Sequence, residues 1–534
     1  MKLNYKGLAD KDSWHKAGIS LPSYNPEELA AKTRNNPRWV HFGIGNIFRI
    51  FIGGIADKLI NSGLLDRGIT CIETFDYDVV DKIYRPFDNL ALAVTLYGDG
   101  HTDKRVLGSL SESIKSTERP RMREIFSCPD LQLVSYTITE KGYSLRDSEG
   151  KYLSYAANDM NNGPEKSTGA MAVTTAMLYE RFKAGAYPLA LVSMDNVSHN
   201  GEKLMNSVIE TAEQWQNKKF VPPEFIAYLK DSGKIAFNWT MIDKITPRPS
   251  DEVGKMLGDL GVENMQTVIT SKKTYIAPFV NAEEPQYLVI EDKFPNGRPE
   301  FEKADAGVYM TDRKTVNLSE RMKVTACLNP IHTALCTYDC MLGYKLFADG
   351  MHDKDLSELA RQVGYIEGLP VVEDPKILSP KKFIDEVINI RFPNPYLGDT
   401  SARIAVDISQ MVGIRFGETI KAHIAKFGTA EKLNAIPLAI AGWLRYLLAV
   451  DDNREKFELS PDPMIPELTS QLSSIKFGRP ESFDSQLRPI LSNANIFGVN
   501  LYEAGLGEKI ESIFRDQISG VGAVRAALKK YLYQ

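Results

Sequence analysis

Four short apolar runs punctuate the first half of the chain: WVHFGIG from Trp39, ITCIETF from Ile69, LQLVSYTIT from Leu131 and LALVSMD from Leu189. Amphipathic segments separate them. This alternation predicts buried strands of a parallel sheet with helices packed on its faces. Each run ends near a Gly, Thr or Asp at a turn, where open α/β sheets place ligands. After about residue 312 the apolar positions recur every three or four residues, as in LSELARQVGYIEGL (356–369) and RPILSNANIFGVNLYEAGLGEKIESIFRDQI (488–518). That period predicts a mainly helical second half. Between the halves, YLVIEDKFPNGRPEFEKADAGV (287–308) holds two prolines and two glycines and is expected to cross in extended form. The expected domains are therefore residues 1–312 and 313–534.

Composition narrows the class of partner. At 534 residues the chain is too long for one core. A net charge of -5, with no basic block, argues against nucleic acid and leaves small molecules. Five cysteines without a CxxC pair suit a reducing compartment. The opening MKLNYKGLADKDSW lacks a signal-peptide core. Leu433 to Val450, the most apolar long segment, is interrupted by Pro437 and Arg445 and reads as a buried helix, not a membrane span. A cytoplasmic location without membrane contact is the expectation.

Candidate chemistry begins at WVHFGIGNIFR (39–49). Gly43 and Gly45 lie where a strand turns into a helix opened by Asn46, Ile47, Phe48 and Arg49. Glycines there let a pyrophosphate approach the backbone at a helix N-terminus. Phe48 stands where the third glycine of GxGxxG would be. About thirty residues on, the second run ends in Glu73 and Asp76. An acid there can hold a ribose hydroxyl pair and disfavours a 2′-phosphate, so NAD is favoured over NADP. The plain alternative is that either acid caps the following helix.

A second concentration is KVTACLNPIHTALCTYDC (323–340). His332, Cys336 and Cys340 would share one helical face as a metal stripe. At a rise of ~1.5 Å per residue the outer two stand about 12 Å apart, too far for one ion, so the cysteines read as packing residues and no metal is expected. Lys323, Asn329 and His332 form the rival acid/base group. Asn329 before Pro330 has the form of an N-cap and first helical residue.

Taken together, HFGIGNIFR, TITEKGY (Thr137 to Tyr143), SMDNVSHNG (Ser193 to Gly201), MIDKITP (Met241 to Pro247), VIEDKFPNGRP (Val289 to Pro299), LNPIH, RFPNPYLGDT (Arg391 to Thr400) and GVGAVRAALKKYL resemble the mannitol dehydrogenase family, in order and almost end to end. The resemblance implies an N-terminal Rossmann-type domain, a mainly helical C-terminal domain and an active site in the cleft between them. It implies reversible, metal-independent hydride transfer between NAD(H) and the secondary alcohol of a sugar acid or polyol. The family's catalytic lysine falls on Lys323, its oxyanion-binding asparagine on Asn196, and its second asparagine and histidine on Asn329 and His332. Asp243 and Arg391 fall on substrate positions, and Thr139 and Glu140 on the cofactor edge.

Chemistry agrees with those assignments. Alcohol oxidation needs a base for the hydroxyl proton, and side-chain amides can stabilise the developing alkoxide. His199 reads as structural, beside a turn or helix start at Asn200 and Gly201. Positive charge at Arg391, Lys141, Lys244 and Lys323 favours a sugar acid, with fructuronate reduction to mannonate as the leading expectation. Mannitol or arabinitol oxidation and tagaturonate reduction are its rivals, and a non-catalytic NAD sensor is a third class. A monomer or small homo-oligomer is expected.

Three departures from the family pattern stand out. Ile47, Phe48, Arg49 and Phe51 occupy positions where the family commonly shows an aromatic, histidine, arginine and a further histidine. Lys323 precedes Asn329 by six residues where five is usual, so an irregularity is expected in that stretch. DISQMVGIRF (407–416) lacks a lysine carried by some relatives.

Overall fold

The computed structural model describes residues 1–533, which divide into one unit spanning Met1–Asn317 and another that begins at Leu318. In the first unit the four apolar runs form strands Trp39–Phe42, Ile69–Glu73, Leu133–Tyr136 and Leu189–Ser193. Two more strands, Leu110–Lys115 and Ile235–Asn238, complete a six-stranded parallel sheet. Numbered along the chain, the strands lie in the order 3-2-1-4-5-6, that of a Rossmann sheet. All residues of the first strand are buried, and Phe42 pairs with Ile72 on one side and Tyr136 on the other. The order reverses between the first and fourth strands, and the crevice at their carboxyl ends is where such sheets bind ligands.

The helix after the first strand does not run uniformly. Phe48–Ile52 is π-helical, and α-helix Gly53–Asn61 follows. The expected crossing segment instead folds back within the first unit. Tyr287–Glu291 and Val308–Thr311 are parallel neighbours in a three-stranded sheet whose third member is Thr240–Asp243. The proline- and glycine-rich stretch is the loop joining two strands.

The second unit is helical. Helix Asn329–Leu342 packs on Ala435–Tyr446, which packs on Gly507–Gln517. Tyr338 locks all three: its hydroxyl donates to the Leu438 carbonyl (2.8 Å) and accepts from Gln517 (2.7 Å). A Cβ on Gly442 would lie 2.5 Å from the same ring, so glycine permits this approach. Pro437 does not interrupt its helix, because the helix begins at Ala435 and places proline in the first turn. The Glu367 carboxylate caps that turn by accepting N–H groups of Asn434, Ala435 and Ile436. The long periodic stretch 488–518 is broken into Arg488–Leu491, Ala494–Phe497 and Gly507–Gln517. Gly498 and Gly505 take φ values of 70° and 75°, which interrupt the helical path.

Candidate active site

The end of the first strand is shaped by close backbone contacts. Gly43 has φ 86°, and a Cβ there would stand 2.1 Å from the Thr137 carbonyl oxygen. Only glycine fits. The Thr137 N–H donates to the Phe42 carbonyl (2.9 Å) and its hydroxyl to that of Gly43 (2.7 Å), so the first and fourth strands meet at the turn. His41 supports them, with Nε2 2.9 Å from Thr137 Oγ1 and Nδ1 2.7 Å from Ser135 Oγ. Because the Thr137 hydroxyl proton goes to Gly43, the geometry assigns the imidazole proton to Nε2. Burial holds the His41 pKa well below its ordinary value.

Gly45 differs from Gly43. Nothing lies within 4 Å of where its Cβ would be, which leaves open space beside the helix start at Asn46. That is a cradle a pyrophosphate could enter. The side chains of Phe48 and Arg49, two further residues expected at the cofactor, lie in the core. Phe48 is fully buried and stacks on His41 at 3.9 Å. Arg49, 1% exposed, donates to the Ala277 carbonyl (2.6 Å) and to Asn46 Oδ1 (2.8 Å). Burial brings its pKa down to about 10. The turn of helix they occupy points into the core, whereas Ile47 is half-buried.

Of the two acids, Glu73 is committed to the turn. Its Oε1 accepts N–H groups of Thr74, Phe75 and Asp76, and its Oε2 that of Ile44, so its lone pairs are largely occupied. Burial raises its pKa in spite of those donors. Asp76 accepts the Thr270 hydroxyl on Oδ2 (2.6 Å), while Oδ1 is buried without a partner.

Sequence reasoning missed Asp195. Its carboxylate accepts the N–H groups of Ile138 (2.8 Å) and Thr139 (2.9 Å) and the Tyr143 hydroxyl (2.6 Å). It thereby holds Thr139 at φ 65°, at the start of helix Thr139–Tyr143. Burial raises its pKa. The available signal was its place at a strand end, directly before Asn196.

Glu140 is exposed and pairs with Lys203, and Asn196 is exposed on the loop after Asp195. His199 stacks on Trp239 at 4.5 Å and precedes helix Asn200–Asn217. Asn200 ties that helix to Thr240, at the head of the strand that ends in buried Asp243. Lys244, expected near a substrate carboxylate, donates to the Glu283 carbonyl (2.7 Å).

In the second unit, Lys323 is 2% exposed and opens the π-helical segment Lys323–Cys327. The Leu328 N–H donates five residues back to the Lys323 carbonyl (3.1 Å). A π turn holds one residue more than an α turn, so the irregularity expected between Lys323 and Asn329 lies here. The Thr419 hydroxyl pins the segment by donating to the Thr325 carbonyl (2.7 Å). The N-cap is Leu328 and not Asn329. Asn329 is the first helical residue and Pro330 the second, where a missing N–H costs nothing.

His332 lies between the rings of Phe392 (4.8 Å, stacked) and Phe347 (4.6 Å, edge-on), with Nε2 4.0 Å from Asp399 Oδ2. Burial, then the guanidinium groups of Arg415, Arg403 and Arg391, hold its pKa well below the ordinary value, so the imidazole is neutral near pH 7. Arg391, 2% exposed, ends the π-helical segment Val387–Arg391. Arg403 and Arg415 were not among the expected site residues.

The cysteine stripe is packing. Cys336 is buried, and burial pushes its thiol pKa well up and that of Cys340 to about 12. Among the described residues no group of three or more His, Cys, Asp or Glu is disposed to hold a metal ion. Among the described residues no helix is long and apolar enough to cross a membrane.

Comparison with known proteins bears on this geometry. Residues 37–303 match the family model of the mannitol dehydrogenase Rossmann domain, and residues 316–512 that of the mannitol dehydrogenase C-terminal domain. The chain is 51% identical over 535 residues to a D-mannonate oxidoreductase of Thermotoga maritima, covering 99% of each chain. It is 27% identical to a polyol:NADP oxidoreductase of Gluconobacter oxydans, over 88% of this chain and 90% of that one. Among solved structures, a mannitol 2-dehydrogenase of Pseudomonas fluorescens, in ternary complex with NAD and D-mannitol, aligns over 100% of both chains. Its TM-score is 0.73 at 24% identity, a likeness of fold. With both family models matched in order and half the residues of a full-length relative shared, the chain belongs to the mannitol dehydrogenase family.

Proposed function

We propose that this protein is an NAD(H)-dependent oxidoreductase that interconverts D-mannonate and its keto acid, fructuronate. The observation that carries the proposal is the 51% identity, over 99% of both chains, to a D-mannonate oxidoreductase. The guanidinium groups gathered around His332 support a carboxylate-bearing substrate over a neutral polyol.

When bound, NAD(H) supplies the hydride acceptor or donor. The residues present fit it: Gly43 makes the strand-to-helix turn, Gly45 leaves its cradle open beside Asn46 and Ile47, and Asp76 keeps an acceptor oxygen for a ribose hydroxyl. Lys323 takes the hydroxyl proton in oxidation and returns it in reduction. Asn196 and Asn329 donate side-chain N–H groups to the oxygen that gains negative charge. His332, neutral, can donate to one substrate hydroxyl without competing for the reacting proton. Asp243 and Arg391 orient the remaining hydroxyl and carboxylate groups. A cytoplasmic setting suits free thiols and a diffusible sugar acid.

The test is a panel: NADH oxidation with fructuronate, tagaturonate and fructose, and NAD reduction with mannonate, mannitol and arabinitol. Fructuronate and mannonate should give the highest kcat/KM. Preference for a neutral pair would replace the substrate assignment, and no turnover with any would favour a sensor.

A further inference from the structure

Arg415 lies on the π-helical segment Gly413–Gly417. Its Nη1 donates to Thr333 Oγ1 at 2.6 Å, and its Nε is buried without a partner. Among the described residues no carboxylate pairs with it, although three other arginines on this unit are paired. Arg403 grips Asp399 (Nε to Oδ1, 2.7 Å), Arg321 bridges Glu373 and Glu418, and Arg525 bridges Asp353 and Asp355. Arg415 is half-buried, and a cation partly withdrawn from water is normally paired, because losing hydration without an opposite charge is costly.

Thr333 directly follows His332, and Arg415 is the strongest of the three guanidinium influences on that imidazole. Burial lowers the Arg415 pKa from its ordinary value, with the Cys336 thiol acting the other way, and the guanidinium keeps its charge near pH 7. The protein has thus put an uncompensated guanidinium one residue from a substrate-facing histidine flanked by two phenylalanine rings.

We propose that Arg415 is a second, specificity-determining cation of this enzyme, joining Arg391 at the substrate's carboxylate through its remaining N–H donors. A carboxylate suits the planar fork of a guanidinium, which can meet both oxygens at once. Bound there, the anion completes the pairing that the fold leaves unmade, and Thr333 fixes the fork so that little side-chain freedom is lost on binding. The inference rests on the proposed sugar-acid reaction.

Arg415→Gln and Arg415→Lys test it through the KM for mannonate, with NADH affinity and thermal unfolding measured beside it. For Arg415→Gln, KM should rise about 10- to 100-fold, the range for losing a charge-assisted hydrogen bond. NADH affinity should stay at the wild-type value, and Arg415→Lys should recover part of the loss. If the glutamine variant does not fold, the lysine variant decides. A KM raised at least severalfold with native unfolding behaviour supports the proposal, and an unchanged KM overturns it. An unchanged mannonate KM in a folded glutamine variant likewise overturns it while leaving the sugar-acid reaction standing. A wild-type enzyme that turns over only neutral polyols overturns both.

Discussion

Around Gly43 the ionisable side chains are withdrawn from any ligand. His41 is a neutral strut between Ser135 and Thr137, Arg49 is turned onto Ala277, and Glu73 collects backbone N–H groups. Around His332 they are concentrated, with three guanidinium groups acting on one imidazole and a buried lysine nine residues earlier in the chain. On the proposed reading, the first region leaves recognition to backbone shape, as suits a cofactor common to many enzymes. On the same reading, the second leaves it to side-chain charge, as suits a substrate that must be told from its relatives. Backbone recognition is sensitive to added volume, and charge recognition to lost functional groups.

The most severe test of that contrast is Lys323→Ala. Turnover should fall about 10²- to 10⁴-fold, the usual contribution of a general acid/base. NADH binding, followed by fluorescence titration, should persist. Joint loss of both would break the contrast. Gly43→Ala should act in the opposite sense: a side chain at φ 86°, 2.1 Å from the Thr137 oxygen, costs about 1–3 kcal/mol in backbone strain before the overlap is relieved. Thermal unfolding should shift down and NADH binding should fail.

Asp339 probes the charged unit apart from its chemistry. Burial pushes its carboxyl pKa up to about 8, and Oδ2 accepts the Ser401 hydroxyl (2.7 Å). The pKa is raised on folding, so the native state holds the extra proton. Its contribution is full below the unfolded value of 3.8 and is lost as pH rises toward 8, at about 1.4 kcal/mol per pH unit. Asp339→Asn should flatten that decline in denaturant unfolding measured between pH 5 and 8. The mildest case is Gly45→Ala. With open space at its Cβ, unfolding should be unchanged, while NADH affinity weakens roughly tenfold, or about 1.4 kcal/mol. A destabilised Gly45→Ala protein would show that both glycines serve the fold.

Much of the first unit was legible because its strands are continuous apolar runs. Leu110–Lys115 escaped because LSESIK carries buried serines that read as a polar segment. Residues 287–308 were misread because proline and glycine announce a turn without saying where the flanking strands pair. In the second unit, the six-residue step from Lys323 to Asn329 signalled an irregular helix, and a π segment lies there. Arg415 and Asp195 were not legible, since each matters through partners, Thr333 and the 138–139 turn, that only folding brings near.

Lys323, Arg391 and Arg415 each stand in a five-residue π segment, at its start, end and middle respectively. In such a segment the count of residues, more than their identity, sets the bearing of what precedes and follows. Deleting the half-buried Val324 would spare the Thr325 carbonyl that Thr419 pins. It would swing Lys323 by about 100° about the axis and draw it in by about 1.5 Å relative to Asn329. A scan of substitutions would miss this dependence, whereas single-residue deletions would reveal it as loss of turnover in a chain that still folds.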